Sequence, residues 1–142
     1  MKIYADTSFL VSLYSPDANS AAAARTMQAS SGDRLVTTFG ELEVVNAMGL
    51  RVFRKEVSVA QAQSSLTDFE KDMRGGVFQL RAIPEPVFER ARQISRQTTA
   101  KLGTRTADLL HMAAALELGV DYLYSFDQQQ RKLAQTLRLK LN

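Results

Sequence analysis

Four acidic residues far apart in the chain each follow, open or lie inside a short apolar segment. Asp6 closes Lys2-Ile3-Tyr4-Ala5, and Glu43 lies in Thr38-Phe39-Gly40-Glu41-Leu42-Glu43-Val44-Val45-Asn46-Ala47. Asp108 opens Thr106-Ala107-Asp108-Leu109-Leu110-His111, and Asp127 follows Tyr122-Leu123-Tyr124-Ser125-Phe126. Carboxylates are almost never buried unpaired, so acids at the ends of apolar elements need a partner. If they converge, two of them about 4 Å apart repel by roughly 4 kcal/mol at an effective dielectric near 20. That is a large share of the ~5–15 kcal/mol that stabilises a domain. A shared proton or a divalent cation relieves the repulsion. Oxygen donors select Mg²⁺ or Mn²⁺, and a chain with no cysteine and one histidine offers no softer set. Such an ion acidifies water and neutralises phosphoryl oxygens.

Each acid also has a plainer use. Asp6 and Asp127 can cap the helices that follow them, and Asp108 can sit on the positive end of its helix dipole. Glu43 is harder to explain in this way, because its helix is apolar nearly all round. Asn46, one turn on, is placed to hydrogen-bond it. Glu41 competes with Glu43. At 100° per residue Glu43 shares a face with Phe39, Asn46, Ala47 and Leu50, whereas Glu41 points toward Met48, and periodicity does not decide which face is inside. His111 shares the face of Asp108; a lone histidine on an apolar helix is read as a packed, satisfied core residue rather than a ligand.

Alternating strands and helices are expected to position these groups. Strands are predicted at Lys2–Ala5, Arg34–Thr38, Val77–Ile83 and Val120–Ser125, with a possible edge strand at Leu137–Leu141. Helices are predicted at Phe9–Tyr14, Ala18–Ala29, Phe39–Phe53, Ser58–Met73, from Pro86 to about Thr99, Thr106–Leu118 and Asp127–Gln135. Ser58 is the expected cap of its helix, and Gly75-Gly76 its stop. Strands separated by helices imply a mainly parallel sheet covered on both faces. Ligands of such sheets bind outside the carboxyl ends of the strands, where Asp6 and Asp127 are placed.

Bulk properties are those of a soluble globular protein. The 142 residues are 45% hydrophobic and 23% charged, which suits one domain spanning 1–142. The absence of cysteine excludes a disulfide framework. No apolar run approaches the ~20 residues of a membrane span, and no signal-peptide core precedes Asp6, so a cytoplasmic location is expected. The net charge of +3 hints at a polyanionic partner. Arg51, Arg54 and Lys55 cluster after the Glu43 helix, and Arg90, Arg92, Arg96, Lys101 and Arg105 gather ahead of Asp108. Singly these are solvated helix residues; together they can border an acidic pocket and meet a phosphate backbone.

The ordered set Tyr4-Ala5-Asp6-Thr7-Ser8, Leu42-Glu43-Val44-Val45-Asn46-Ala47, Arg105-Thr106-Ala107-Asp108-Leu109-Leu110-His111-Met112-Ala113-Ala114-Ala115 and Tyr124-Ser125-Phe126-Asp127 resembles the PIN-domain ribonucleases, of the VapC-type toxin kind. The resemblance covers essentially the whole chain. It implies a three-layer α/β/α PIN-like fold with a mainly parallel central sheet, and an endoribonuclease dependent on Mg²⁺ or Mn²⁺. It selects Glu43 over Glu41 and makes Asp6, Glu43, Asp108 and Asp127 the catalytic, metal-binding set. Thr7, Ser8 and Ser125 would stand near the metal through hydroxyls or bound water, Ser125 replacing the threonine common in such proteins. A homodimer and a small antitoxin partner are implied as well, the latter occluding the acidic groove. PIN proteins that process RNA without being toxins, and inactive PIN-like binding modules, are the alternatives. An aspartyl-phosphate phosphatase would need an acid where Ser8 stands, and a receiver domain lacks its N-terminal acid pair.

Overall fold

A computed structural model describes residues 1–142. In chain order the elements are β1 (Lys2–Ala5), α1 (Thr7–Tyr14), α2 (Ser20–Ala29), β2 (Asp33–Thr37), α3 (Thr38–Phe53), α4 (Val59–Arg74), β3 (Gln79–Arg81), α5 (Val87–Leu102), α6 (Thr106–Glu117), β4 (Tyr122–Tyr124), α7 (Gln128–Thr136) and β5 (Lys140–Leu141). The strands form one sheet in the order β3-β2-β1-β4-β5. Every pairing is parallel.

The period of two along each strand sorts the core into two layers. Ile3, Ala5, Val36 and Tyr124 point to one side and pack on Phe9, Leu10, Ala23, Val44 and Phe69 of α1 to α4. Tyr4, Leu35 and Leu123 point to the other and pack on α5, α6 and α7 through Ile94, Met112, Ala113 and Leu133. The result is the expected α/β/α sandwich. The central strand is closed off on both faces, with Ile3, Tyr4 and Ala5 all buried. The small side chains of Ala113, Ala114 and Ala115, all buried, let α6 lie tightly in its layer.

Strand order matters for function. From β1 the chain runs outward to β2 and β3, then returns to the other side of β1 as β4 and β5. The carboxyl ends of β1 and β4, in register at Ala5 and Tyr124, therefore flank the point where the winding reverses. That is the place where open α/β sheets form a crevice. Asp6 begins there, its N–H donating to the Tyr124 carbonyl at 3.1 Å.

Several boundaries differ from the expectation. Thr38 belongs to α3, because Thr37 ends β2 and caps the helix by accepting from Gly40 N–H at 3.0 Å. The third strand shrinks to three residues, since it lies at the sheet edge and pairs only with Leu35, Val36 and Thr37. Val120 is tied to α6, its N–H donating to Ala115 O at 3.2 Å, so β4 starts at Tyr122. Asp127 stands just outside α7, and Pro86 just outside α5. The Ser58 cap of α4 is present, completed by Gln61 reaching back to the cap N–H. No helix is long and apolar enough to cross a membrane.

Candidate active site

A groove of about 650 Å³ opens over the β1 and β4 ends and is lined by Asp6, Glu43, Asp108 and Asp127 together. Thr7, Ser8, His111 and Arg105 line it too. All four acids read from the sequence thus share one cavity, drawn from four separate elements. Glu41 faces elsewhere, lining a different depression with Phe69 and Glu70. The sheet, not helix periodicity, settles which face of α3 looks into the groove.

Capping and clustering turn out to be compatible roles. Asp6 accepts from Phe9 N–H at 3.0 Å and is the N-cap of α1. Asp127 caps α7 by accepting from Gln130 N–H at 3.0 Å. Asp108, in the first turn of α6, accepts from the Arg105 N–H at 3.3 Å. Each helix start fixes a carboxylate and aims backbone N–H groups at it, as anion sites at helix termini do.

Asp6 is the deepest of the four, only 4% exposed. Ser8 Oγ donates to its Oδ1 at 2.7 Å and Ser125 Oγ donates to its Oδ2. Burial pushes the Asp6 carboxyl above its ordinary range, and the bonds from Ser125, Ser8 and Phe9 N–H offset only part of that. Ser8 in turn accepts from the N–H groups of Phe126 at 2.9 Å and Asp127 at 3.2 Å, which ties the two acidic loops together. The hydroxyls of Ser8 and Ser125, expected to stand near a metal, are thus both spent on Asp6 and its loop.

Glu43 enters from α3. Thr7 Oγ1 donates to its Oε1 at 2.7 Å, and His111 Nε2 bonds the same oxygen. Burial works to raise this carboxyl, but the hydrogen bonds of His111 and Thr7 and the nearby Arg105 cation outweigh it and hold Glu43 low. Asn46, expected to orient Glu43, is exposed and makes no hydrogen bond to it. One helical turn carries its short side chain outward, so that role falls to Thr7 and His111.

Arg105 is the residue whose importance the sequence hid among its basic neighbours. Its Nε donates to Asp108 Oδ2 at 3.1 Å and its Nη2 to Asp127 Oδ2 at 2.9 Å. Those bonds hold the guanidinium more firmly protonated than usual, Asp108 contributing most. The Arg-x-x-Asp spacing at a helix start was the available signal, since residues three apart meet on one face. Arg90 and Arg92 instead pair with Glu117 and Glu89 away from the groove.

Of the residues expected to meet RNA, Arg54 lines the groove without an ion pair. Arg51 lines it as well but is committed, donating to Ser15 Oγ and to Asp17 Oδ2, both at 2.9 Å. Lys55 lies two residues beyond α3 in a left-handed conformation, φ 60°, and is not part of the groove wall.

The donor set is entirely oxygen-rich and anionic, which suits a hard divalent cation. As the side chains stand, each carboxylate is satisfied by protein donors, and no three acidic or imidazole groups are gathered in a way that could hold an ion. Positive charge is nonetheless already drawn to the cluster, through Arg105 between Asp108 and Asp127. The chemistry of the residues fits the cation that the sequence implied.

Solved structures share this architecture. VapC20 of Mycobacterium tuberculosis, described as a sarcin–ricin-loop-cleaving toxin, superposes with a TM-score of 0.70 at 18% identity, covering 92% of this chain and 93% of its own. FitAcB of Neisseria gonorrhoeae superposes with a TM-score of 0.66 at 16% identity, covering 98% and 95%. No protein of curated function matches the chain in sequence. The pattern of the PIN domain family, however, matches residues 3–135, and with the fold just described it shows that the chain belongs to the PIN-domain family.

Proposed function

We propose that the chain is a divalent-metal-dependent endoribonuclease acting as the toxin of a toxin–antitoxin pair. The observation that carries this reading is the groove at the sheet's winding reversal, whose wall includes Asp6, Glu43, Asp108 and Asp127. In it the four carboxylates would hold Mg²⁺ or Mn²⁺, and the ion would supply an acidified water and neutralise charge on the scissile phosphate. Ser8 and Ser125 keep the buried Asp6 carboxylate oriented, and Thr7 does the same for Glu43. Arg54 and Arg105 border the groove with positive charge suited to a ribose-phosphate backbone. Attack of water on phosphorus forms one P–O bond and breaks another, leaving a phosphate end and a hydroxyl end.

Membership of the PIN family supports the nuclease reading, and the description of VapC20 supports RNA as the substrate. The resemblance also supports a small antitoxin that covers the groove, a homodimer and a cytoplasmic setting. One observation favours an inactive RNA- or protein-binding module instead: Arg105 already neutralises Asp108 and Asp127. Incubation of the purified chain with structured RNA in Mn²⁺ and in chelator separates the two. The nuclease reading expects cleavage in Mn²⁺ that chelator abolishes and that Asp108→Asn lacks. RNA bound but never cut in either condition would establish the module.

A further inference from the structure

His111 was expected to be a satisfied core residue, and it is one; its satisfaction, however, runs into the groove. The imidazole is 4% exposed, held between the edge of Tyr4 (centroids 5.7 Å apart, 73° between planes) and Phe39 (5.1 Å). Gly40 borders this pocket: a Cβ there would make ordinary van der Waals contact with Thr37 Oγ1 at 3.4 Å and His111 Cε1 at 3.8 Å.

Four hydrogen bonds run in series through this pocket. Gly40 N–H donates to Thr37 Oγ1 at 3.0 Å. Thr37 Oγ1 and Tyr4 Oη lie 3.1 Å apart, and Tyr4 Oη and His111 Nδ1 2.7 Å apart. His111 Nε2 then meets Glu43 Oε1. Counting protons fixes the direction. Gly40 N–H can only donate, so Thr37 accepts there and has its own proton left to give. With Thr37 fully buried, that proton has one acceptor on hand, the Tyr4 oxygen. Tyr4 must then donate to His111 Nδ1, which leaves the ring proton on Nε2, aimed at the Glu43 carboxylate. Reversing the chain would strand the Thr37 hydroxyl proton in the core, and the other neutral tautomer would set a lone pair against a carboxylate. Burial keeps the Tyr4 hydroxyl protonated far above neutrality, so it remains a donor.

Thr7 and His111 both bond Oε1 of Glu43, and neither bonds Oε2, while Glu43 itself lines the groove. We propose that His111 is a positioning residue: locked as its Nε2–H tautomer by the Thr37–Tyr4 relay, it fixes the Glu43 carboxylate so that one oxygen is held and the other is presented to a divalent cation. The inference rests on the metal-dependent reading above and assigns His111 no contact with substrate. Aligned dipoles in such a series strengthen each other, so the anchor reaches from the start of α3 to the site. A histidine that orients a carboxylate in this way acts as outer-shell partners do around metals, where their loss typically lowers affinity about 10–100-fold.

His111 is the only histidine, so an untagged protein gives a single set of imidazole ¹⁵N signals. In its neutral form the ring is expected to show, in a long-range ¹H–¹⁵N spectrum, the proton on Nε2 and Nδ1 as acceptor. A neutral ring that carries its proton on Nδ1 would overturn the proposal. Mn²⁺ affinity, read by electron paramagnetic resonance without RNA, supplies the second arm. His111→Leu is expected to weaken binding about 10–100-fold. His111→Gln, whose amide N–H can reach the same carboxylate, should recover most of it, a rescue that a purely space-filling histidine would not show. If His111→Leu fails to fold, Tyr4→Phe decides: a mixed ring tautomer with several-fold weaker Mn²⁺ binding supports the relay, and an unchanged ring and affinity overturn it. Glu43→Gln is the control. Normal Mn²⁺ binding in Glu43→Gln would overturn the metal reading of Glu43 and this inference with it, whereas normal binding in a folded His111→Leu with weakened Glu43→Gln would overturn this inference alone.

Discussion

Asp6 and Asp108 face the same groove and are held in opposite ways. Asp6 is sealed beneath α1, with Ser8 and Ser125 each giving a hydroxyl to one of its oxygens. Ser8 sits in the first turn of α1 and Ser125 just after β4, and the pairing of β1 with β4 brings both to Asp6. Asp108 shares with Asp127 a single guanidinium, that of Arg105, whose side chain is 65% exposed. Although Asp108 itself is buried, a cation this exposed is screened by solvent and readily exchanged. The first corner is therefore preorganised by folding, while the second carries a replaceable counterion. A site that must accept a cation and then an RNA phosphate needs both properties: a rigid place to anchor, and charge that can be displaced at low cost.

The largest expected effect removes an acid from each corner. Asp6→Asn and Asp108→Asn should each lower Mn²⁺-dependent RNA cleavage by at least about 10²–10³-fold with the fold retained by circular dichroism. Cleavage at the wild-type rate in both would discredit the assignment of these residues.

Stability should then separate the corners. Ser125→Ala takes a donor from a buried carboxylate and is expected to cost about 1–3 kcal/mol in urea unfolding. Arg105→Gln should cost less than about 1 kcal/mol, because the guanidinium it removes is 65% exposed and the amide can still donate to Asp108. Equal losses would erase the distinction drawn between them.

Asp6→Asn should also raise the melting temperature by a few degrees at neutral pH, since it removes a charge whose burial the fold resists. The sign follows from linkage. With the folded carboxyl raised, its penalty is full above the folded value and absent below the unfolded one, about 3.9. The gain in Asp6→Asn should therefore shrink on acidification and vanish near pH 4. A pH-independent difference between the two proteins would refute this account of Asp6. Glu43, held low, acts in the opposite sense: its stabilising contribution is present above the ordinary glutamate range and is lost as pH falls through its depressed folded value.

The smallest effect concerns RNA affinity. Arg54→Ala should weaken binding and flatten the salt dependence by about one unit of slope, while Lys55→Ala, away from the groove wall, should leave the slope unchanged. Arg51→Ala is expected to act more through the lost bonds to Asp17 and Ser15 than through RNA. A full unit of slope lost in Lys55→Ala would redraw the footprint.

Much of this architecture was legible because it depends on local patterns. Apolar strands ending in acids gave the parallel sheet and the placement of Asp6 and Asp127, and Ser58 gave the start of α4. Edge strands were overestimated, since the length of β3 is set by how many partners β2 offers, which no local pattern records. Glu43 could not be separated from Glu41 by helical period, as the face turned to the groove depends on how α3 rests on the sheet. Asn46 was misassigned because sharing a helix face does not ensure reach. His111 illustrates the remaining limit: its core character was readable, but its partners Tyr4 and Thr37 are brought to it only by tertiary packing.

Anomalous scattering from a crystal soaked in Mn²⁺ is the most direct check on the chemistry proposed for the groove. The account predicts a peak with oxygens of Asp6, Glu43 and Asp108 about 2.1 Å away and Arg105 turned out from between Asp108 and Asp127. A map with no peak among these carboxylates at saturating Mn²⁺, and Arg105 still clasping both aspartates, would contradict it.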